Sequence, residues 1–481
     1  MATRTAEQQQ QSQPTVLIVG AGLGGLMLGA LMEKANIPYT IIERSTTVKP
    51  LGSAMAIGGT LLGLFEQLGI LDEFVSLAKW FTQSTLLNEA GETIVTTNHL
   101  HVQELTGYRS YIVARPCLYS LLLKQIPAHK IHFGKRILTV TEDKDDDDKV
   151  HIKAADGTTY QGDILVGADG AYSAIRQRIY EKLNTEGTLP KSDQEDLPFS
   201  CTCLVGQTNV LDVEEFPELK DDKCLFIATL GNEKPYSWVV FGTASGSICF
   251  MVLHHLDRTT SRAAQEQRFK NCENSEWGTF AAQSMCDETR AFPISIGAGK
   301  MTLGDLYDRT PKELITKVML EEKVFTTWHS GRTVLLGDAC HKVHPAGGQG
   351  AVTAMHDAVA LANLIYALPS TKLSDIQQTF TEYQAERLPL ATEAFDSSRA
   401  LAKGMEKGLG GVVALWISKH IPQWLWKIFW AKRVKFRPQI AFLKEAESKG
   451  TSPPKSPFSY EKARAVYEKR QGAAAAAPAV I

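Results

Sequence analysis

Val16-Leu-Ile-Val-Gly20-Ala-Gly22-Leu-Gly-Gly25 decides the fold of this chain. Four apolar residues in a row suit a short strand buried on both faces. They run straight into glycines spaced as GxGxxG, then into a helical pattern to about Lys34 and a second strand, Tyr39-Thr-Ile-Ile-Glu43. A strand, a turn, a helix and a strand within about 30 residues form the setting in which a glycine match carries weight. Gly20 permits the tight turn, Gly22 lets backbone approach a pyrophosphate, and Gly25 allows close helix–sheet packing. The helix N-terminus adds free N–H groups and partial positive charge.

Glu43 closes the second strand, 18 residues beyond Gly25. A carboxylate there accepts hydrogen bonds from both hydroxyls of an adenosine ribose and repels a 2′-phosphate. FAD or NAD therefore fits better than NADP as the resident dinucleotide, and this unit alone does not choose between the first two.

The totals are those of an ordinary globular protein. The 481 residues predict two or three domains. With 44% hydrophobic and 22% charged residues there is enough apolar material for a sizeable core. A net charge of −2 gives no reason to expect nucleic acid as a partner. No apolar run of about 20 residues marks a membrane span. The eight cysteines match neither a zinc site nor a disulfide framework, so free thiols in a reducing compartment are expected. Cys201 and Cys203 should face the same side of a strand, as core thiols.

Along the chain, residues 1–13 are polar and read as a disordered leader. Residues 14–180 form the first part of a dinucleotide-binding domain, with a substrate-side segment at about 50–105. Within it, Ile131–Thr141, Val150–Ala154 and Thr159–Val166 read as a β-meander whose acidic tip, Asp145–Asp148, is a solvated turn. Residues 181–300 form a sheet domain, with strands near Ser237–Phe241 and Ser247–Leu253. Residues 301–375 return to the dinucleotide domain, with a strand at Thr333–Gly337 and a helix over about Gln349–Leu368. Residues 376–460 are a C-terminal helical region, amphipathic over 375–408, and 461–481 a tail. The expected fold class is α/β: a Rossmann-type domain with an inserted antiparallel-sheet substrate domain and a C-terminal helical region.

Two further segments choose the cofactor. One is Asp163-Ile-Leu-Val-Gly-Ala-Asp169-Gly170, with Ser173 and Arg176 following. The other is Gly337-Asp338-Ala-Cys-His341-Lys-Val-His344-Pro345-Ala-Gly-Gly348-Gln-Gly350-Ala351, followed by Asp357. With GxGxxG first, these DG and GD segments make the chain resemble the FAD-dependent monooxygenases of the para-hydroxybenzoate hydroxylase-like (aromatic-ring hydroxylase) family, over about residues 14–375. Fungal secondary-metabolism members are the most similar.

The resemblance implies FAD as cofactor and NAD(P)H as transient co-substrate. It implies that Asp338 bonds a ribityl hydroxyl and that Arg115 reaches the ribityl–pyrophosphate region. Asp169 would shape the pyrophosphate and nicotinamide sites, while Ala56 and Ala351 would offer backbone to the flavin. Independently of the family, the loop Pro345–Ala351 is glycine-rich, so backbone can press against a planar ring. It also opens a long helix whose positive end suits the anionic edge of reduced flavin; Gly350 stands at that point.

The expected reaction follows from the same resemblance. NAD(P)H reduces FAD, dioxygen gives a flavin C(4a)-hydroperoxide, and a small lipophilic aromatic or terpenoid substrate is hydroxylated or epoxidised. The alternatives are an FAD-dependent reductase or oxidase without oxygen insertion, and a non-catalytic dinucleotide-binding module. No catalytic acid or base is identified. Substrate contacts are expected from about 53–65 and 199–255, where Tyr236, Trp238 and Phe250 are either candidates or ordinary core.

His341 and His344 lack a third metal ligand, so no metal is expected. Trp424-Leu-Trp426-Lys-Ile428, together with Lys79, partly matches a flavin-dependent halogenase pattern, but Phe429 stands where proline belongs and the motif follows the GD segment rather than preceding it. Residues 411–443 mix Trp416, Trp424, Trp426 and Trp430 with lysines and arginines. They read either as helices packed on the catalytic domain or as a peripheral membrane contact. The expected location is the cytoplasm or a membrane surface.

Overall fold

The computed structural model describes residues 13–47, 53–142, 149–232, 234–256, 276–277, 279–404 and 419–476. The leader up to residue 12, the acidic turn Asp145–Asp148, Cys272 and Trp416 lie outside the described residues.

The centre is a six-stranded sheet in the spatial order His329–Ser330, Thr333–Leu335, Ile164–Gly167, Val16–Val19, Tyr39–Ile42, Ile131–His132. Neighbours are parallel except for the terminal hairpin His329–Leu335. Val16–Val19 and Ile164–Gly167 are buried along their whole length, as the continuous apolar runs require. The helix Leu23–Ala35 is apolar all round and is correspondingly buried on nearly every residue. It is wedged against the helix Gly350–Tyr366, which is buried from Val352 to Ile365. A Cβ on Gly24 would stand 3.3 Å from Ala354 Cβ of that helix and 2.6 Å from Leu336 Cδ2, so glycine there sets the closeness of the contact.

Two stretches expected to be single meander strands are each divided between sheets. Ile131–His132 completes the parallel sheet, and Ile137–Glu142 begins the meander after Gly134, whose φ of 71° turns the chain. Thr159–Gly162 ends the meander, and Ile164–Gly167 enters the parallel sheet one residue later. Alternation of residue types shows that a segment is extended, but not which sheet receives it.

The second layer is an eight-stranded sheet in the order Glu276–Trp277, Thr316–Glu321, Phe199–Gln207, Ile248–His255, Tyr236–Gly242, Phe226–Leu230, Gln83–Asn88, Thr93–Asn98. The inserted domain expected over 181–300 therefore extends in both directions. Thr316–Glu321 pairs with Phe199–Gln207, so the return to the parallel sheet comes at His329 rather than 301. Gln83–Asn88 pairs in parallel with Phe226–Leu230 and brings the segment near 50–105 into the same sheet.

A small sheet, Ala54–Ile57, Tyr111–Ala114 and Ala78–Trp80, joins the two layers.

The C-terminal region wraps the parallel-sheet domain. Helix Leu373–Gly404 carries Pro389 internally and lies along Gly350–Tyr366. The extended chain after Val434 is tied down by amide side chains: Asn363 bonds Gln439 and Ala441, and Gln67 bonds Ile440 and Lys444. Of the segment expected to be a tail, residues 461–476 belong to a helix, Phe458–Ala476, and residues 477–481 lie outside the described residues. Its Ala463 is fully buried against Ala367 and Ala441. The small side chain of Ala463 is what allows this helix to approach so closely. Ala463→Leu should overpack the contact and cost about 1–3 kcal/mol, measured by urea unfolding; unchanged stability would show that the helix does not dock there.

Candidate functional site

The glycine turn is built for a ligand that lies against backbone. Gly20 has φ +108°, and a Cβ there would stand 2.3 Å from the Ala168 carbonyl oxygen. A Cβ on Gly25 would stand 2.0 Å from the Gly20 oxygen. Gly22 differs, because nothing lies within 4 Å of its Cβ position. Its lack of a side chain keeps open a cradle at the N-terminus of Leu23–Ala35, where no side chain caps the helix. Uncapped N–H groups beside open space suit a pyrophosphate.

Glu43 stands at the end of the neighbouring strand. Its Oε2 accepts the Ala21 N–H at 2.8 Å and its Oε1 the Ser45 N–H at 2.8 Å. A carboxylate has about four lone-pair positions, so each oxygen keeps capacity for a ribose hydroxyl. Glu43 thus also braces the glycine turn, a role that the spacing does not reveal.

The DG and GD segments meet across the sheet. Asp169 accepts bonds from Ser173 Oγ at 2.5 Å and Ile175 N–H at 3.2 Å, while burial raises its pKa against those bonds. Arg176 is buried, donates from Nη2 to Ala171 and from Nη1 to Ala339, and stacks on Phe325. One guanidinium therefore joins the DG loop to the turn Gly337–Ala339. Asp338, in that turn, is partly exposed.

Asp357 is the buried anchor behind this turn. Its Oδ2 accepts from His341 Nε2 at 2.5 Å and from the Gly337 N–H at 3.2 Å. Its Oδ1 accepts from Arg387 Nε at 2.7 Å. Burial pushes its pKa up, but the charges and hydrogen bonds of His341 and Arg387 outweigh that and bring it to about 2. Cys340, His341 and Asp357 gather three metal-type ligand atoms within 4.8 Å. The Asp357 oxygens are already taken by three donors, so the cluster is an ion-pair network rather than a metal centre. Sequence reading noted Asp357 without a role and missed Arg387. The available signal was a lone carboxylate in an apolar helix, which demands a buried countercharge.

The loop Pro345–Gly347 packs on the long C-terminal helix: a Cβ on Gly347 would meet Ser398 Oγ at 2.0 Å. Gly348 has φ +61° and open space around it, and the nearest atom to a Gly350 Cβ is at 3.7 Å. Gly350 and Ala351 begin the helix Gly350–Tyr366, whose N-cap Gln349 makes no capping bond. His344 Nδ1 accepts the Ala346 N–H at 3.1 Å. Burial, then the proximity of His255, lower the His344 pKa to about 4, so the ring is neutral near pH 7. Arg115 is exposed and opens the helix Arg115–Leu123. Burial, then the Glu43 charge, raise the Tyr119 phenol on that helix to about 12. Ala56 lies in the adjoining strand, paired with Ile112.

Strand alternation separates the two faces of the large sheet. Tyr236, Trp238 and Phe250 lie on the outer face, packed with Met285, Leu306 and Tyr307, and the Trp238 indole donates to the Pro293 carbonyl. They are core residues, which corrects their candidacy as substrate contacts. The opposite face carries Val239, Phe241, Cys249 and Met251, in one apolar cluster with Ala54, Ala56 and Cys117. It continues through Cys201, Cys203, Leu253, Val318 and Leu320. Polar character enters with Ser237, whose Oγ is 2.9 Å from His255 Nε2.

Lys79 points elsewhere, donating to the Leu219 carbonyl at 2.8 Å. Trp424 to Ile428 lie on a surface helix, Gln423–Arg433. The two halves of the halogenase-like pattern thus have separate structural settings.

The FAD binding domain family matches residues 13–210 and 307–398. The FAD-dependent monooxygenase cle3 of Aspergillus versicolor is 26% identical over 416 residues, which is 84% of this chain and 79% of the relative. The FAD-dependent monooxygenase atmM of Aspergillus flavus is 25% identical over 447 residues, 89% of this chain and 86% of the relative. Among solved structures, Klebsiella pneumoniae HpxO complexed with FAD and uric acid shares the fold, with a TM-score of 0.67 and 19% identity over 88% of this chain and 97% of that one.

Asp357→Asn should leave Arg387 buried without a full countercharge, at a cost of about 3–5 kcal/mol, read by urea unfolding at pH 7. The Asp357 carboxylate contributes fully above about pH 4, the ordinary range of a free carboxyl, and its contribution fades as pH falls toward its folded value of about 2. The stability gap between wild type and variant should therefore narrow below about pH 4; a gap that does not change with pH would remove the ion pair from the explanation.

Proposed function

This chain belongs to the FAD binding domain family and is an FAD-dependent oxidoreductase of the monooxygenase class, and from that premise we propose that it uses NADH or NADPH and dioxygen to hydroxylate or epoxidise a small lipophilic aromatic or terpenoid substrate. The observation that carries the substrate half is the apolar inner face of the eight-stranded sheet, grouped with Ala54 and Ala56 and incompletely covered at Val239, Met251, Val318 and Leu320. A wall of this kind takes up apolar surface and excludes water.

In this reading Gly20, Gly22 and Gly25 set the pyrophosphate on the first helix. Glu43 receives the adenosine ribose. Arg115 and Asp338 hold the ribityl–pyrophosphate stretch, and Asp169 shapes the loop between them. Ala56, Gly350 and Ala351 offer backbone to the flavin ring. FAD, when bound, supplies hydride acceptance and oxygen activation. The protein's contribution is electrostatic and steric. The uncapped N-terminus of Gly350–Tyr366 directs N–H groups and partial positive charge toward the anionic edge of the reduced ring. His344, neutral and with Nδ1 occupied by Ala346, keeps its Nε2–H as a fixed donor. The relatives cle3 and atmM are named FAD-dependent monooxygenases, which supports the oxygen-insertion half of this reading.

Gly22→Val should fill the cradle and lower FAD affinity at least about ten-fold, read by flavin absorbance after reconstitution, with the far-UV spectrum unchanged. The reaction itself is tested by NADH and NADPH oxidation with a panel of phenols and prenylated aromatics under labelled dioxygen. Substrate-dependent oxidation with one labelled oxygen atom in the product is expected. Oxidation that yields only hydrogen peroxide with every substrate, or a dehydrogenated product without label, would replace the monooxygenase by an oxidase or reductase.

A further inference from the structure

We propose that the helix Gln423–Arg433 docks the protein on an anionic lipid bilayer. This surface lies outside the dinucleotide and substrate sites. Its two faces are sharply different. Lys427, Trp430, Ala431 and Val434, at helical spacing, form the inner face: Trp430, Ala431 and Val434 pack on Val102 and Leu105, and Lys427 pairs with Glu104. The outer face presents Trp424, Leu425, Ile428 and Phe429, which are 63%, 36%, 59% and 42% exposed. Large apolar side chains gathered on one outward stripe cost solvation unless something covers them.

Charge selects the cover. From Lys419 to Lys444 the chain holds seven lysines and arginines and no aspartate or glutamate, although the whole protein carries a net charge of −2. Lys432, on the same helix, and Lys419 and Lys435, which precede and follow it in the chain, are exposed. Lys432 is paired with Glu393, an exposed contact of the kind that exchanges readily for another anion. Tryptophan beside lysine suits the depth of lipid headgroups, and anionic lipid attracts each basic residue held near the surface. No helix of the described residues is long and apolar enough to cross a membrane, so the contact is peripheral.

The helix is also wired to the apolar wall. Trp430 meets His99 at 5.3 Å between ring centroids, His99 meets Phe81 at 4.2 Å, Phe81 meets Phe226 at 5.2 Å, and Phe226 meets Phe241 at 4.8 Å. A docked helix would therefore hold the substrate-side sheet next to the bilayer, where a lipophilic substrate concentrates. That consequence rests on the proposed substrate class, whereas docking does not.

The test is co-sedimentation of the flavin-loaded full chain with sucrose-loaded vesicles of phosphatidylcholine, with and without about one third phosphatidylserine. Binding to the anionic vesicles, weakened by salt, is expected. W424S/I428S/F429S should lower the partition at least about ten-fold, and K419E/K432E/K435E should weaken it too, each with flavin absorbance unchanged. As a measurement independent of those variants, brominated lipid should quench tryptophan emission in the wild type and less in W424F. No binding by the wild type, equal binding by the variants, or a dimer in solution that W424S/I428S/F429S dissolves would overturn the proposal. Binding needs no substrate, so failure here is distinct from failure of the monooxygenase reading.

Discussion

The carboxylate of Asp357 holds together segments that the chain order keeps apart. It is the one carboxylate of a mostly apolar helix, fully buried, and accepts from Gly337, His341 and Arg387. Removing a carboxylate from water is costly, and the cost is offset only when several donors meet it in good geometry. That condition locks the turn at Gly337, the helix Gly350–Tyr366 and the long helix bearing Arg387 into one arrangement. Arg176 extends the lock to the DG loop through the Ala339 carbonyl. In the proposed binding mode the groups offered to FAD would be largely backbone groups, positioned by these buried charges.

The large sheet divides its work by strand alternation. Its outer face is aromatic and packed against helices, with the indole of Trp238 and the phenol of Tyr307 hydrogen-bonded. Its inner face is lined by apolar side chains, among them Val239, Phe241, Met251 and Leu253, and by thiols. Burial pushes the Cys203 and Cys224 thiols up to about 12. Such thiols stay protonated near neutral pH, and the thiolate is the reactive form. These thiols are thereby kept chemically quiet within an apolar cluster.

Much of the fold was legible. Val16–Val19 and the helix after it came directly from apolar runs and glycine spacing, and Gly350–Tyr366 from its apolar periodicity. The misreadings share one cause. The pairs Ile131–His132 with Ile137–Glu142, and Thr159–Gly162 with Ile164–Gly167, were read as single strands, because local pattern does not carry partner identity. Tyr236, Trp238 and Phe250 were open candidates for the same reason: period 2 says that they share a face, and not which face meets the cofactor. The segment from residue 461 on was read as a tail, although Ala463 there is a small side chain of the kind that a close helix contact needs.

The sequence by itself determined the dinucleotide unit and the order of its motifs. Those properties are local: a glycine is needed where backbone must come within van der Waals reach, as at Gly20 and Gly25. Tertiary structure alone decided that Arg387 answers Asp357, that Arg176 reaches Ala339, and that the apolar face of the sheet turns toward Ala54 and Ala56. These are long-range pairings, set by which buried charges and surfaces find each other when the layers close, and no spacing along the chain encodes them.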